Sequence, residues 1–492
     1  MKYFSTRDSQ KNSFDSATVI KKGLAADGGL FVPDSLPSLS QEEIENMCNM
    51  TYSERAATVL SKFLTDYTYY ELLEDCKKAY CEKSFPGGAA PLNKINENIY
   101  SLELWHGPTA AFKDMALQIM PRLLSRALVK TGEKNTALIL VATSGDTGKA
   151  ALEGYKDVDG VKIIVFYPVD GVSKVQKLQM ATQTGSNVNV CAIRGNFDDA
   201  QNGVKKIFAD DDAKEKLLNN GYILSSANSI NWGRLAPQIV YYISAYCDML
   251  NSGDIKFGDT VNVCVPTGNF GNIFAAYLAK QMGLPLAKLI CASNDNNVLT
   301  DFLSTGTYDR NRKFHTTISP SMDILISSNL ERLLYFTAGS ERTSAYMKQL
   351  NSTGAYTVDA EVKANIDVNF EGYFADENDT RKTIEKYWKN YGYLADTHTS
   401  VAINCAEQYL AKTGDTKKII VASTASPYKF AADVYEALKQ KKASADTGAL
   451  DDLSSLTSTE ISYPLQNLAS RKVNFDAVID SSDMLEEVYK FM

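Results

Sequence analysis

"VNVCVPTGNFGNIFAAYLAK", residues 261–280, begins as a continuous apolar run, passes through Thr267-Gly268-Asn269-Phe270-Gly271-Asn272, and continues as an apolar-periodic pattern of helical spacing. A run that is apolar at successive positions has no face to offer water, so it predicts a strand covered on both sides. Strand, glycine turn and helix form the repeating unit of parallel sheets. The turn also delivers backbone N–H groups and a helix N-terminus to one place, where an anion can be held without lysine or arginine. The same glycines also serve a plain tight turn, and the pair alone does not separate the two readings.

The pattern repeats outward from this stretch. Residues 137–142, 161–168, 188–193, 287–292 and 418–423 are further short β-branched runs, each ending in turn residues. Strands alternating with helices predict an α/β fold with parallel sheets buried on both faces. The first 90 residues, helix-rich after "DGGLFVP", are expected to form an N-terminal accessory domain. Residues 91–135 begin a large domain, 136–255 form a smaller α/β domain, and 256–492 complete the large one, with a polar, aromatic insertion near 294–390 and a linker at "ASADTG" (443–448) before an amphipathic tail.

Composition narrows the function. The formal charge of −8 over 492 residues provides no broad basic field for nucleic acid or an anionic membrane, so any phosphate must be met by a local site. The eight cysteines are scattered without a C-x-x-C pair, several within apolar runs, and read as reduced core thiols. The three histidines, 106, 315 and 398, have no ligand spacing, and no metal site is expected. The opening residues lack the apolar region of a signal peptide and no run approaches the roughly 20 apolar residues of a membrane span, so a cytoplasmic protein is expected.

In parallel sheets ligands collect beyond the carboxyl ends of the strands, and three more loops there carry polar groups. In "LVATSGDTGKAALEG" the strand ends in Thr143, Ser144, Gly145, Asp146 and Thr147, whose hydroxyls and N–H groups suit a carboxylate or phosphate. It is not a nucleotide-binding P-loop, because Gly145 and Gly148 are two residues apart and Lys149 is followed by Ala150. "YILSSANSINWGRL" brings Asn228, Ser229, Asn231 and Arg234 to a helix start, where the guanidinium can grip a phosphate through two bonds or simply form a salt bridge. "KIIVASTASPYKF" delivers Ser423, Thr424 and Ser426 to a strand end, where small hydroxyls also serve as helix caps.

A lysine completes the set. In "HGPTAAFKDMALQIM", residues 106–120, Lys113 stands one position beyond an apolar helical stripe, at its first turn, and Pro121 predicts a kink or restart behind it. Partial burial near a positive helix end favours the neutral amine that Schiff-base chemistry requires, although a solvated helix-start lysine fits the same spacing.

"GLAADGGLFVP", "HGPTAAFKD", "ATSGDTG", "SSANSINWGRL" and "PTGNFGN", in this order, resemble the threonine synthases of the long bacterial and fungal type. These belong to the β-family, or fold type II (tryptophan synthase β-like), of pyridoxal 5′-phosphate enzymes, with two parallel-sheet α/β domains plus an N-terminal accessory domain. The resemblance implies that Lys113 bonds the cofactor covalently, that Gly268, Asn269, Phe270, Gly271 and Asn272 cradle its phosphate, and that the Thr424 hydroxyl meets its ring nitrogen. Asn272 departs from the Asp familiar at that place, and Asp146 stands where fold relatives acting on serine or threonine commonly have Asn. It further implies that Thr143, Ser144, Gly145, Asp146 and Thr147 line the substrate carboxylate and the ring hydroxyl, and that Asn228, Ser229, Asn231 and Arg234 meet a substrate phosphate.

The reaction implied is conversion of O-phospho-L-homoserine and water to L-threonine and phosphate, by a monomer or homodimer with no nucleic-acid or membrane partner. Three readings compete: a threonine or serine dehydratase or a β-replacement synthase on the same fold, a phosphate-binding or nucleotide-binding protein in which Lys113 is only a charge, and a catalytically silent homologue, which would need a broken motif where Lys113 and the glycine loop are intact.

Overall fold

The computed structural model describes residues 1–143, 145–169 and 172–492. Two sheets dominate it. The larger has six strands in the order Phe370–Phe374, Leu286–Ser293, Val261–Pro266, Ile419–Ser423, Ile99–Glu103, Leu92–Lys94, all parallel except the last pair. Every residue of Val261–Pro266, Ile419–Ser423 and Ile99–Glu103 is buried, as continuous apolar runs require of central strands covered on both faces.

The smaller sheet is wholly parallel, in the order Val478–Asp480, Val188–Arg194, Val161–Pro168, Thr136–Ala142, Tyr222–Ser225. Its edge corrects the expectation that everything after 256 belongs with the larger sheet. Residues 478–480 cross back to pair with Ala192–Arg194, and Met484 and Val488 of the last helix join the small sheet's core. A three-residue strand is too short to carry a periodicity, which is why the return is silent in the sequence.

Residues 294–390 are also less separate than expected. They supply the edge strand Phe370–Phe374 of the larger sheet and the 3-10 turn Pro320–Met322, which reaches the cavity described below.

The N-terminal region is a set of short helices started by reciprocal caps: Ser40 with Glu43, Thr51 with Glu54, and Thr68 with Glu71. It covers helix Pro237–Asn251, which is apolar all round and needs burial on every side. Tyr3 and Phe63 pack on Trp232, Arg55 donates to Ser244 and Asp248, and Arg7 grips Glu331 through two bonds of 2.8 Å.

Behind Lys113 the chain forms helix Lys113–Leu117, breaks, and restarts as Met120–Lys130 with Pro121 in its first turn. Helix Asp146–Tyr155 crosses this break at a point where only a glycine fits. A Cβ on Gly154 would lie 1.8 Å from the Leu117 carbonyl oxygen. That contact sets Lys113 and Asp146 side by side. No described helix is long and apolar enough to cross a membrane.

Candidate active site

A cavity of about 500 Å³ opens between the carboxyl ends of the two sheets. Ala142 and Thr143 reach it from the smaller sheet, and Pro266, Thr267 and Thr424 from the larger.

Lys113 enters as the first residue of its helix, with 11% of its side chain exposed. The turn before it is docked on the end of strand Ile419–Ser423. Phe112 N–H donates to Thr424 O (2.8 Å) and Ser426 N–H to Ala110 O (3.1 Å). Lys113 Nζ lies 3.2 Å from Ser321 Oγ and 3.5 Å from Asp146 Oδ2. Burial pulls its amine below the ordinary lysine range, Lys429 and Arg234 add to the effect, and Asp146 opposes it.

Asp146 is buried, and burial favours its protonated form. Lys429 and Lys113 outweigh that and hold the carboxyl well below the usual range. Oδ1 sits 2.9 Å from Lys429 Nζ and accepts from Gln176 Nε2 at 2.8 Å. Gly145 permits this approach, since any Cβ there would meet the Gln176 amide at 2.5 Å, but Gly145 does not itself line the cavity. Thr143 lines it, yet its Oγ1 is already committed to the N–H groups of Gly145 (3.0 Å) and Gly148 (2.9 Å). Thr147 also lines it, and Ser144 lies outside the described residues.

The glycine turn forms the opposite wall. Phe270 takes a left-handed conformation, φ 61°, to open helix Gly271–Gln281. The carbonyl of Gly268 accepts from Ser327 Oγ (2.6 Å), and that of Asn269 from Asn329 N (3.0 Å) and Nδ2 (2.9 Å). Among the described residues no acceptor takes the N–H groups of Gly268, Asn269, Phe270, Gly271 or Asn272. The Asn272 side chain is buried, its Oδ1 accepting from the Tyr242 hydroxyl while its Nδ2 has no partner. So many unmet donors at a helix start, those of Phe270, Gly271 and Asn272 buried, make a receptor for an anion such as a cofactor phosphate. The turn, the buried amine of Lys113 and the Thr424 hydroxyl in the same cavity fit a phosphorylated aldehyde.

A second anion-receptive group has a different construction. Arg234, on helix Trp232–Leu235, lines the cavity and is 4% exposed, makes no ion pair among the described residues, donates from Nη1 to Ala227 O (2.9 Å) and leaves Nε unmet. Burial brings its guanidinium down to about 10, so it stays charged at neutral pH. Asn228 and Ser229 line the cavity beside it.

Asn231 does not join them. Its Oδ1 accepts from Gly233 N–H and its Nδ2 donates to Ile20 O, each at 2.9 Å, so it fastens the segment to the N-terminal region.

Several contributors were not read from the sequence. Lys429, Gln176 and Ser321 surround Lys113 and Asp146. His398 lines the cavity, with Nε2 accepting from Ser321 N–H (3.1 Å) and Nδ1 3.0 Å from Asp396 Oδ1, which places its hydrogen on Nδ1. Arg332, wholly buried, donates to Phe31 O, Ile230 O and Asn329 Oδ1, joining the N-terminal region, the Arg234 segment and the glycine turn. The signals present were slight: a lysine inside "SPYKF", and one of three histidines directly behind an Asp-Thr helix start.

Three family models match the chain. Residues 2–80 match the family Threonine synthase N terminus, 86–424 the family Pyridoxal-phosphate dependent enzyme, and 399–479 the family Threonine synthase, C-terminal. Threonine synthase-like 1 of Homo sapiens is 42% identical over 441 residues, covering 87% of this chain and 58% of that protein. The chain thus spans under two thirds of that relative. Threonine synthase of Pseudomonas aeruginosa is 38% identical over 439 residues, 87% of this chain and 89% of the relative. The crystal structure of PLP-bound threonine synthase from Brucella melitensis superposes with a TM-score of 0.89 at 36% identity, covering 100% of this chain and 99% of that one.

Proposed function

Because the chain belongs to the threonine synthase family of pyridoxal-phosphate dependent enzymes, we propose that it converts O-phospho-L-homoserine and water to L-threonine and phosphate. The observation that carries this reading is the pair of unlike anion receptors facing one amine: the glycine turn with its unmet N–H groups, and Arg234, buried and without a carboxylate partner among the described residues. A dehydratase of serine or threonine has a single phosphate to hold, that of its cofactor. A phosphate-ester substrate needs a second receptor.

When bound, pyridoxal phosphate supplies an electron sink for charge developing at the substrate's Cα. The Gly268–Asn272 turn would hold its phosphate and the Thr424 hydroxyl would serve its ring nitrogen, with Asp146 beside Lys113. Arg234, with Asn228 and Ser229, holds the substrate's phosphate and orients Cγ for its departure. Lys113 Nζ, tethered over the reacting carbons, takes the proton from Cα and moves protons at Cβ. Phosphate leaves Cγ, Cγ takes up a proton to become the methyl group, the hydroxyl of one water adds at Cβ while its other proton leaves with the phosphate, and Cα regains its proton. Ser321 Oγ steadies the lysine between these positions, and the His398–Asp396 pair fixes Ser321 through its backbone N–H.

The test is an absorbance spectrum of the purified protein before and after addition of O-phospho-L-homoserine, with released phosphate and threonine measured together. Equal amounts of the two support the reading. Phosphate with a keto acid and ammonia in place of threonine would make the protein an eliminating lyase of the same ester. A yellow protein that releases no phosphate would favour the dehydratase.

A further inference from the structure

The mechanism above leaves unused a buried cation that touches Asp146. Lys429, on the 3-10 turn Pro427–Phe430, has a side chain with no exposure. Its Nζ lies 2.9 Å from Asp146 Oδ1 and donates to Thr109 O at 2.8 Å. Lys113 approaches the same carboxylate less closely, at 3.5 Å from Oδ2.

The groups facing Lys113 are therefore Asp146 from helix Asp146–Tyr155, Lys429 from its turn, Arg234 from helix Trp232–Leu235, and the Ser321 hydroxyl from turn Pro320–Met322. His398 stands behind Ser321 with its Nε2 already occupied. Asp114, which also feels Lys429, is held by the Thr109 N–H and hydroxyl, and Asp146 is the carboxylate that faces Lys113. Two carboxylates do not balance the three buried cations Lys113, Lys429 and Arg234, and a buried charge without a partner is costly. The site is relieved when one lysine gives up its proton. Lys429 holds the carboxylate at the shorter distance and donates as well to the Thr109 carbonyl, whereas Lys113 has only the longer contact and a hydroxyl, so Lys113 is the one released.

We propose that Lys429 is a positioning residue: it serves as the permanent counter-ion of Asp146 and thereby leaves Lys113 as the neutral amine that bonds the cofactor. This rests on the reading of Lys113 given above. Only a neutral Nζ has the lone pair to attack the aldehyde carbon, forming the C=N bond and expelling one water. Lys429 also keeps Asp146 compensated after Lys113 has been consumed, so the carboxylate has no need to take up a proton. The lowered proton affinity of Lys113 and the sign of each neighbour's contribution to it agree with this division.

The test follows the rate at which the full-length chain, freed of cofactor and remixed with pyridoxal phosphate, gains visible absorbance between about pH 6 and about pH 10. Borohydride reduction and peptide mass mapping identify the lysine bonded. Lys429→Met removes a repulsion and leaves Lys113 as Asp146's only close cation. Both effects raise the midpoint, by about one pH unit or more, which is about tenfold less neutral amine below it. Lys429→Arg keeps the wild-type midpoint. Asp146→Asn lowers it, because Lys429 still repels and nothing attracts, and the double variant Asp146→Asn/Lys429→Met returns toward wild type. A structural role in holding Thr109 would lower stability without moving any midpoint. Should Lys429→Met fail to fold, Asp146→Asn and Lys429→Arg carry the decision. An unmoved midpoint in Lys429→Met, or an unmoved or raised one in Asp146→Asn, would overturn the proposal. Reduction that marks another lysine in the wild type would instead overturn the reading of Lys113.

Discussion

The glycine turn lines the same cavity as Lys113, Asp146, Arg234 and Ser321, with Lys429 behind Asp146, and the two groups are built in opposite ways. The turn comes from a single stretch, Thr267–Asn272, and carries no charged side chain; its receptor groups are backbone N–H donors. The cluster collects Lys113, Asp146, Arg234, Ser321 and Lys429 from five separate segments, and each member contributes a side chain. A backbone receptor spreads its work over many equivalent donors, so a single substitution removes little. A side-chain cluster gives each residue a role that no neighbour duplicates, so single changes in it carry large effects.

The largest expected effect tests that contrast directly. Lys113→Ala should lower threonine formation at least about a thousandfold and abolish the yellow absorbance. The glycine turn is untouched, so pyridoxal phosphate should still remain with the protein through gel filtration, without its covalent bond. Complete loss of cofactor would mean that the turn holds less of it than its unmet donors imply.

Next in size is Arg234→Gln. Loss of a charged donor pair should raise KM for the phosphate ester about 10- to 100-fold, in line with about 1.5–3 kcal/mol for hydrogen bonds to charged groups, while cofactor retention stays near wild type. An equal loss of cofactor would show that the two receptors serve one phosphate. Asn231, three positions earlier, gives the control. Its amide is spent on Gly233 and Ile20, so Asn231→Ala should cost about 1–3 kcal/mol of stability in thermal unfolding and leave KM unchanged. A KM change matching that of Arg234 would return Asn231 to the substrate site.

The same contrast explains what was legible in the sequence. Continuous apolar runs reveal buried strands because the pattern is local, and 261–266, 161–168 and 188–193 stand in the structure almost as read. The glycine turn is local too, and its residues fall together in the cavity. Asn231 and Arg234 read alike on the page, since both are polar residues at a helix start; only the packing of the N-terminal region on Trp232 decides that one turns to Ile20 and the other to the cavity. Lys429 and Gln176 carry no local mark at all. Their meaning comes from Asp146, which is distant in the chain and needs a buried partner only after folding.

The smallest effect is expected in the turn itself. Asn272 carries its buried side-chain donor left unmet among the described residues, Nδ2, while Oδ1 accepts from the Tyr242 hydroxyl. Asn272→Ala removes that donor and leaves five backbone N–H groups to the phosphate. One hydrogen bond to a charged group among several should be worth about 1–2 kcal/mol, so the dissociation constant for pyridoxal phosphate, followed by fluorescence titration of the cofactor-free chain, should rise about 5- to 30-fold. Tyr242→Phe separates the two jobs of the amide, because it frees Oδ1 without touching Nδ2. Its titration should stay within about threefold of wild type, since the helix start still presents every N–H. If Asn272→Ala instead released the cofactor as completely as an unfolded chain would, the receptor would depend on a side chain after all, and the distinction between the two walls of the cavity would fall.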